Sequence, residues 1–206
     1  HHAHRVELPF SVDTTRFHDD THTRSLWRRT HMLTKDTCAF LFVGGMDSAH
    51  AFKGVSVLLD ACARLPQNSS WHLFLVGDGN LQAQYRAYAY ELGISDHCTF
   101  LGSVSNEDLP GVYIGADVHV LPSTSVAEAF GLVTLEAAAS ETPSIVSNLP
   151  GVSDLVEDGV TGYVVVSSDV QMLAEACQRM LEHSTETRQR MGNRARIRVQ
   201  ERYTSV

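Results

Sequence analysis

The sequence predicts a doubly wound α/β fold, in which a parallel sheet of six strands carries helices on both faces. From Cys38 onward, short apolar runs bounded by glycine, proline or asparagine alternate with amphipathic segments of helical length. Most of the runs are apolar at consecutive residues, which is typical of strands covered on both sides. Repeated alternation of strand and helix favours right-handed crossovers, and therefore a parallel sheet. The predicted strands are Cys38–Val43, Trp71–Val76, Cys98–Leu101, Asp117–Leu121, Ser144–Ser147 and Tyr163–Val166.

Apolar spacing identifies the best-defined helices. The segment Val55–Leu65 repeats apolar residues at i, i+3, i+4 and i+7, as does the segment Val170–Leu181. That spacing draws one apolar stripe down a helix. The segment Glu182–Tyr203 is polar and rich in charge, and it predicts a final helix with few apolar positions.

Length and composition indicate one domain preceded by a polar segment. The chain has 206 residues, 43% of them hydrophobic and 19% charged, which suffices for one core. We assign residues 1–35 to an N-terminal arm, or interdomain segment, and residues 36–206 to the domain. The formal net charge of −8 argues against a nucleic-acid partner, because such partners are held by neutralising phosphates. No run approaches the roughly 18 apolar residues of a membrane span.

Cysteine spacing gives no sign of a metal or redox site. Each of the four cysteines lies within an apolar run, and no two have the spacing of metal ligands. Four cysteines allow three disulfide pairings, but a chain with a full core does not need them. We therefore expect buried free thiols in a reducing compartment. The residues are Cys38, Cys62, Cys98 and Cys177.

Ligand chemistry is expected in the loops that follow the strands. In a doubly wound sheet the ligand lies beyond the carboxyl ends of the strands, near the point where strand order reverses. Glycine in most of these loops lets backbone come close to a ligand. The loops begin with Gly44-Gly45, Gly77-Asp78-Gly79, Gly102-Ser103-Val104, Pro122-Ser123-Thr124 and Asn148-Leu149-Pro150-Gly151.

The strongest local pattern is a pair of carboxylates, Glu128 and Glu136, across a loop–helix junction. Gly131 is expected to open the helix, so the N–H groups of Gly131, Leu132 and Val133 would point out of its N-terminus toward an anion such as a diphosphate. Glu136 would accept hydrogen bonds from the hydroxyls of a ribose. Glu128, which precedes the helix, would reach a sugar on the other side of the phosphates. The alternative is that Glu128 caps the helix and Glu136 is a solvated helix residue.

A lysine follows the first strand in the segment Gly44–Gly54. Lys53 lies just before a predicted helix, where its ammonium can contact phosphates. The alternative for an isolated Lys-Gly pair is a solvated loop lysine. His50 in the same loop is either a ligand contact or an exposed histidine.

The segment Gly77–Gln82 nearly forms a dinucleotide-binding fingerprint. It follows a strand and opens a helix, but Gln82 stands where the third glycine belongs. No acidic residue ends the next predicted strand to hold a ribose. We interpret the segment as a tight turn at which a nucleotide approaches the backbone, and not as an NAD site.

Seven motifs in order give the chain a family resemblance, which runs from about Val6 to the end. The chain resembles the C-terminal domain of the family 4 retaining glycosyltransferases, which have the GT-B architecture of two facing Rossmann-like domains. The matching segments are Leu8–Phe17, Phe42–Gly44 with Lys53-Gly54, Val76–Gly79, Phe100–Gly102 with Ala116–Val118, Pro122-Ser123, Glu128–Gly131 through Glu136-Ala137, and Pro150-Gly151 with Asp158–Tyr163.

The resemblance implies a donor site for a nucleoside-diphosphate sugar, either a UDP-sugar or a GDP-sugar. By analogy, Lys53 and Glu128 serve catalysis, Lys53 on the diphosphate and Glu128 on the transferred sugar, and Glu136 binds the ribose. Backbone contacts would come from the two loops that begin at Gly44 and Gly77, from around Val104 for the base, and from Phe130, Gly131, Leu132 and Val133. Transfer in the family retains configuration and needs no cofactor or obligatory metal, because fixed positive charge stabilises the leaving diphosphate.

The resemblance also implies partners and a location. The acceptor, a glycan or a lipid-linked molecule, would be held by an N-terminal domain that these residues lack. We expect a cytoplasmic protein, with the inner face of the membrane as one place for the full-length enzyme.

Three positions depart from the family pattern. Gly45 replaces the arginine that usually follows the glycine of the first motif, which removes one phosphate-binding cation. Glu141 stands where the family prefers glycine, and Asp154 replaces a glutamate. The missing arginine favours a rival interpretation, a binding-only module that holds a nucleotide or sugar without transferring it. A nicotinamide-dependent oxidoreductase is a further rival, disfavoured by Gln82.

Overall fold

The computed structural model describes residues 11–17, 20–66 and 68–203. Leu8–Phe10, which begin the first segment that matches the family pattern, lie outside these described residues. The strands are β1 (Cys38–Val43), β2 (Trp71–Val76), β3 (Cys98–Gly102), β4 (Val118–Leu121), β5 (Ser144–Ser147) and β6 (Gly162–Val165). They form one parallel sheet in the order β3-β2-β1-β4-β5-β6. The helices are α1 (Thr21–Thr30), α2 (Val55–Cys62), α3 (Gln82–Glu91), α4 (Leu109–Gly115), α5 (Leu132–Ala139), α6 (Val170–Glu182) and α7 (Thr185–Arg202).

Helices cover both faces of the sheet, which confirms the predicted fold class. On one face, α2, α3 and α6 bury residues such as Leu58, Tyr85 and Leu173 against the strands. On the other face, α1, α4, α5 and α7 pack around Tyr113 and Leu135. All residues of β1 and β4 are buried, as the uninterrupted apolar sequence of β1 predicts for a central strand; β4 also buries the polar His119.

Some element ends differ from the prediction. The strand predicted to end at Leu101 extends to Gly102, because Gly102 pairs with Val76 across a register shift. The predicted last helix starts at Thr185, since the Ser184 side chain accepts a hydrogen bond from the Thr187 amide and caps the helix there.

The polar N-terminal segment contains a helix that the sequence analysis did not predict. Helix α1 begins after Asp20, whose side chain caps it, and Trp27 packs into the core beside α4. A Cβ atom at Gly115 would lie 2.2 Å from the Trp27 ring. Glycine at position 115 therefore lets α1 pack closely on α4.

Two arginines of α1 bind one buried carboxylate just before β4. Arg24 and Arg28 form ion pairs of 2.5 and 2.8 Å with Asp117, whose side chain is 4% exposed. The same carboxylate accepts a hydrogen bond from the Ala39 amide of β1, at 2.8 Å. Burial alone would raise the pKa of Asp117, but the two guanidinium groups and the amide hold it below its usual value. Asp117 thus joins α1 to the central strands.

The cysteines are free thiols, as predicted. Cys38, Cys62 and Cys177 are buried and Cys98 is half-buried. Burial raises the pKa of Cys38 and of Cys98 to about 12, so these thiols stay protonated and unreactive. In the part of the chain that the structure describes, no helix is long and apolar enough to span a membrane.

Candidate functional site

The order of strands reverses between β1 and β4, and the loops after these two strands meet there. The loop after β1 contains a 3₁₀ turn, Ser48–Lys53. Its Phe52 carbonyl accepts hydrogen bonds from the amide and hydroxyl of Thr124, at 2.7 and 3.1 Å. A Cβ atom at Gly54, which has φ 77°, would lie 2.1 Å from the Pro122 carbonyl. The backbone thus fixes these loops together at the place where this fold binds ligands.

Lys53 and Glu128 form an ion pair between the two loops. The Lys53 Nζ lies 2.7 Å from the Glu128 Oε2, and the side chains are 14% and 9% exposed. The Ser123 hydroxyl donates a second hydrogen bond to the same oxygen, at 3.2 Å. Lys53 is therefore not a solvated loop residue. Glu128 does not cap α5 either, because its carboxylate binds Lys53 and Ser123, and Gly131 is the cap residue.

The glycine pair after β1 lies beneath two side chains of its own loop. A Cβ atom at Gly44 would lie 2.6 Å from the Lys53 Cδ, so the lysine stem crosses this glycine. A Cβ atom at Gly45 would lie 2.9 Å from the His50 Nδ1. His50 is exposed, and its ring pairs with the Asp47 carboxylate at 2.8 Å. The imidazole thus covers the position from which the family's arginine would extend.

The glycines after β2 serve close backbone packing. A Cβ atom at Gly77, which has φ 129°, would lie 1.8 Å from the Gly44 carbonyl oxygen, and one at Gly79 would lie 2.3 Å from Met46 backbone. Gln82, at the position of the missing third glycine, donates a hydrogen bond to the Gly77 carbonyl at 3.2 Å. At Gly77 we expected a nucleotide to approach the backbone. The loop after β1 already occupies the space beside the Gly77 Cα.

Helix α5 presents its N-terminus at the same junction. Gly131 adopts φ 73° and turns the chain into the helix, as predicted. The first N–H groups of a helix have no acceptor within it, and here they belong to the segment that follows Glu128. Leu132 is 46% exposed, and the Phe130 ring lies 6.3 Å from that of Tyr203 at the end of α7. The arrangement is suited to an anion beside the Lys53–Glu128 pair.

Glu136 is held inward on α5 and is not a solvated residue. Its Oε2 accepts a hydrogen bond from the buried Tyr113 hydroxyl at 2.9 Å. Burial raises the pKa of Glu136, while the Tyr113 hydrogen bond and the charge of Arg16 act in the opposite direction. Burial and the adjacent carboxylate raise the pKa of Tyr113 well above its usual value. Tyr113 and Arg16 were not predicted as site residues, since only tertiary contacts bring them to Glu136.

Val104 lies apart from the Lys53–Glu128 pair, at the carboxyl end of β3. It is half-buried against the core, and β2 separates its strand from β1. Two strand spacings amount to roughly 10 Å. The nearby Asn106 carbonyl accepts a hydrogen bond from Arg16, which also influences Glu136. The predicted contacts therefore lie along a line from β3 to β4 rather than in one cluster.

Comparisons with known proteins identify the family and the fold. Residues 24–198 match the family described as glycosyl transferases group 1. The O-antigen chain mannosyltransferase C of Escherichia coli is 33% identical over 201 residues, which are 97% of this chain and 51% of that protein.

Solved structures show the same fold. Sucrose-phosphate synthase from Thermosynechococcus elongatus is 32% identical, with a TM-score of 0.83 over 95% of this chain and 48% of the synthase chain. HepE from Anabaena, in complex with UDP-glucose, is 23% identical, with a TM-score of 0.83 over 94% of this chain and 52% of its own. The chain spans about half the length of each of these three proteins.

Proposed function

The chain belongs to the group 1 glycosyl transferases, and from this premise we propose that it is the donor-binding half of a retaining glycosyltransferase. Its ligand is a nucleoside-diphosphate sugar, a UDP-sugar or a GDP-sugar, and the acceptor is a glycan or lipid-linked molecule bound by the other half of the protein. HepE, whose structure contains UDP-glucose, supports a sugar nucleotide as the ligand class.

The observation that carries the proposal is the Lys53–Glu128 pair beside the N-terminus of α5. A diphosphate placed there meets the Lys53 ammonium and the backbone N–H groups of residues 131–133. Together these stabilise the charge that develops on the leaving diphosphate, which is the work a metal ion does in other enzymes. The proposed site therefore uses neither a metal nor a cofactor.

The two glutamates take different parts of the donor. Glu128 faces the transferred sugar and accepts its hydroxyls, and it is not a nucleophile. Glu136 lies eight positions further on, on the inner side of α5, and accepts ribose hydroxyls while Tyr113 orients its carboxylate. The base lies toward Val104, at the distance set by two strand spacings. Closure of the other half over the sugar would exclude water before transfer.

Replacing Lys53 by alanine tests this assignment. We expect donor binding to weaken by about 1.5–3 kcal/mol, the range for hydrogen bonds to charged groups, which is roughly 10- to 150-fold. The matched control is Lys35→Ala, because Lys35 is exposed and precedes β1. A loss of less than twofold in Lys53→Ala would remove Lys53 from the phosphate site.

A binding-only module remains the second candidate, and Gly45 is the observation that favours it. Without the usual arginine, the charge at the diphosphate depends on Lys53 and α5. Joining this chain to an acceptor-binding half would separate the candidates, since the module would bind donor but never transfer. We expect the chain by itself to bind nucleotide with a dissociation constant of about 10 μM to 1 mM and to show no acceptor-dependent turnover.

A further inference from the structure

The Lys53–Glu128 ion pair occupies the two groups that the donor needs. The Lys53 ammonium donates a hydrogen bond to the Glu128 Oε2 at 2.7 Å. The charge of Lys53 is therefore already neutralised before any phosphate binds. Its stem is confined between the Gly44 backbone and the loop, since a Cβ atom at Gly44 would lie 2.6 Å from the Lys53 Cδ. A ligand must therefore draw the ammonium away from Glu128, or share it.

Glu128 cannot lose its partner without cost. The residue is 8% exposed, and the Ser123 hydroxyl donates its hydrogen bond to the same carboxylate oxygen that Lys53 contacts. A carboxylate left this buried without a counterion is strongly unfavourable, and it repels a diphosphate placed nearby. The binding free energy that Lys53 contributes by contacting the phosphates is therefore offset by the cost of leaving the Glu128 carboxylate unpaired.

A sugar attached to the diphosphate changes this balance. Its hydroxyl groups are hydrogen-bond donors, and they can replace the ammonium as partners of the Glu128 carboxylate. The intact sugar nucleotide satisfies both Lys53 and Glu128. A nucleoside diphosphate satisfies Lys53 alone and leaves the carboxylate unpaired.

We propose that the Lys53–Glu128 pair is a selectivity gate, which favours the intact sugar nucleotide over the free nucleoside diphosphate and closes again when the sugar has gone. This inference rests on the proposed function, in which Lys53 contacts the diphosphate and Glu128 the sugar. Glu128 thereby acts against the product as well as for the substrate. Re-formation of the pair competes with the nucleoside diphosphate for Lys53 and promotes its release.

The gate predicts that removing the charge of Glu128 strengthens binding of the free diphosphate. A glutamate that only contacts the sugar predicts weaker sugar-nucleotide binding and unchanged diphosphate binding. A glutamate that only stabilises the loops predicts a lower melting temperature and no gain for either ligand. The direction of the change for the nucleoside diphosphate therefore separates the gate from both alternatives.

The experiment is calorimetric titration of UDP, UDP-glucose, GDP and GDP-mannose into the parent chain and into Glu128→Gln. For the base that the parent binds, we expect Glu128→Gln to bind the nucleoside diphosphate at least fivefold more tightly and to lose most of the preference for the sugar nucleotide. The matched control is Glu157→Gln, an exposed glutamate outside the two loops, which should change neither affinity.

Two results would overturn the gate, and a third falls on the proposed function. Unchanged or weaker nucleoside-diphosphate binding by a folded Glu128→Gln chain contradicts the gate. If that variant does not fold, Glu128→Asp keeps the charge but shortens the reach to Lys53, and it should still bind the diphosphate at least twofold more tightly; no gain contradicts the gate. Failure of the parent to bind any of the four ligands contradicts the proposed function instead.

Discussion

The buried carboxylate of Asp117 should hold a large share of the stability of this fold. Asp117→Asn keeps the shape of the side chain but removes its charge. It also replaces one acceptor oxygen by an NH₂ group, which is a hydrogen-bond donor. The Arg24 and Arg28 side chains, 22% and 12% exposed, would then lie partly buried without a counterion. Breaking a buried pair in this way costs about 3–5 kcal/mol, a large fraction of the roughly 5–15 kcal/mol that stabilises a domain.

Urea and thermal unfolding followed by circular dichroism measure this cost. For a chain of this size, about 3–5 kcal/mol lowers the melting temperature by roughly 6–20 °C. The matched control is Asp36→Asn, an exposed residue just before β1, which should stay within about 0.5 kcal/mol of the parent. A loss below about 1 kcal/mol in Asp117→Asn would refute the account of how α1 is attached.

The pKa of Asp117 adds a pH dependence with a definite sign. Because the folded pKa is lower than the unfolded one, the carboxylate stabilises the fold fully above the unfolded pKa. That contribution is lost as pH falls through the folded pKa. The difference between parent and Asp117→Asn should therefore be constant from pH 7 to about pH 5 and shrink below about pH 4. A difference that grows on acidification would contradict the assignment.

Three further predictions concern glycine positions and the ribose contact. Gly77→Ala should destabilise the chain by more than about 2 kcal/mol, because its Cβ would lie 1.8 Å from the Gly44 carbonyl oxygen. The control Gly93→Ala, at φ 72° with no atom within 4 Å of the added Cβ, should cost only about 1 kcal/mol. Equal unfolding midpoints for the two variants would disprove the packing argument. Glu141→Gly should stabilise the chain by about 0.5–1 kcal/mol in thermal unfolding, since Glu141 has φ 57° and glycine relieves that strain at some entropic cost; a lower melting temperature would mean that its 3.8 Å contact with Arg196 matters more. A 2′,3′-dideoxy nucleoside diphosphate should bind about tenfold more weakly than the ribonucleotide if Glu136 accepts ribose hydroxyls, and equal affinity in a competition titration would exclude that role.

Sequence patterns predicted the sheet because its strands carry the signal locally. Consecutive apolar residues, as in Cys38–Val43, need no knowledge of neighbours to indicate a buried strand. Helix α1 lacks such a signal, since its attachment depends on Arg24 and Arg28. Arginine in a polar segment suggests solvent, and only the fold reveals that Asp117 lies opposite.

The site was predicted as a set of loop positions but not as a set of contacts. Loop glycines and the Glu128–Glu136 spacing located the junction between β1 and β4. The pairing of Lys53 with Glu128 joins residues far apart in sequence, as does the Tyr113–Glu136 hydrogen bond, so neither follows from local pattern. At Gly77 the sequence is ambiguous in another way. Close approach of a ligand and close packing of a neighbouring loop both favour glycine, so the residue type does not distinguish the two. The preference for glycine at position 141 is now explained by the left-handed conformation that ends α5.

Binding of a sugar nucleotide is the central claim, and calorimetric titration of the 206-residue chain tests it most directly. UDP-sugars, GDP-sugars and NAD would be titrated under the same conditions, and each sugar nucleotide that binds would be competed with its own nucleoside diphosphate. We predict saturable binding of at least one sugar nucleotide, with a dissociation constant of about 10 μM to 1 mM, and no binding of NAD. Saturable binding of NAD without binding of any sugar nucleotide would contradict the account.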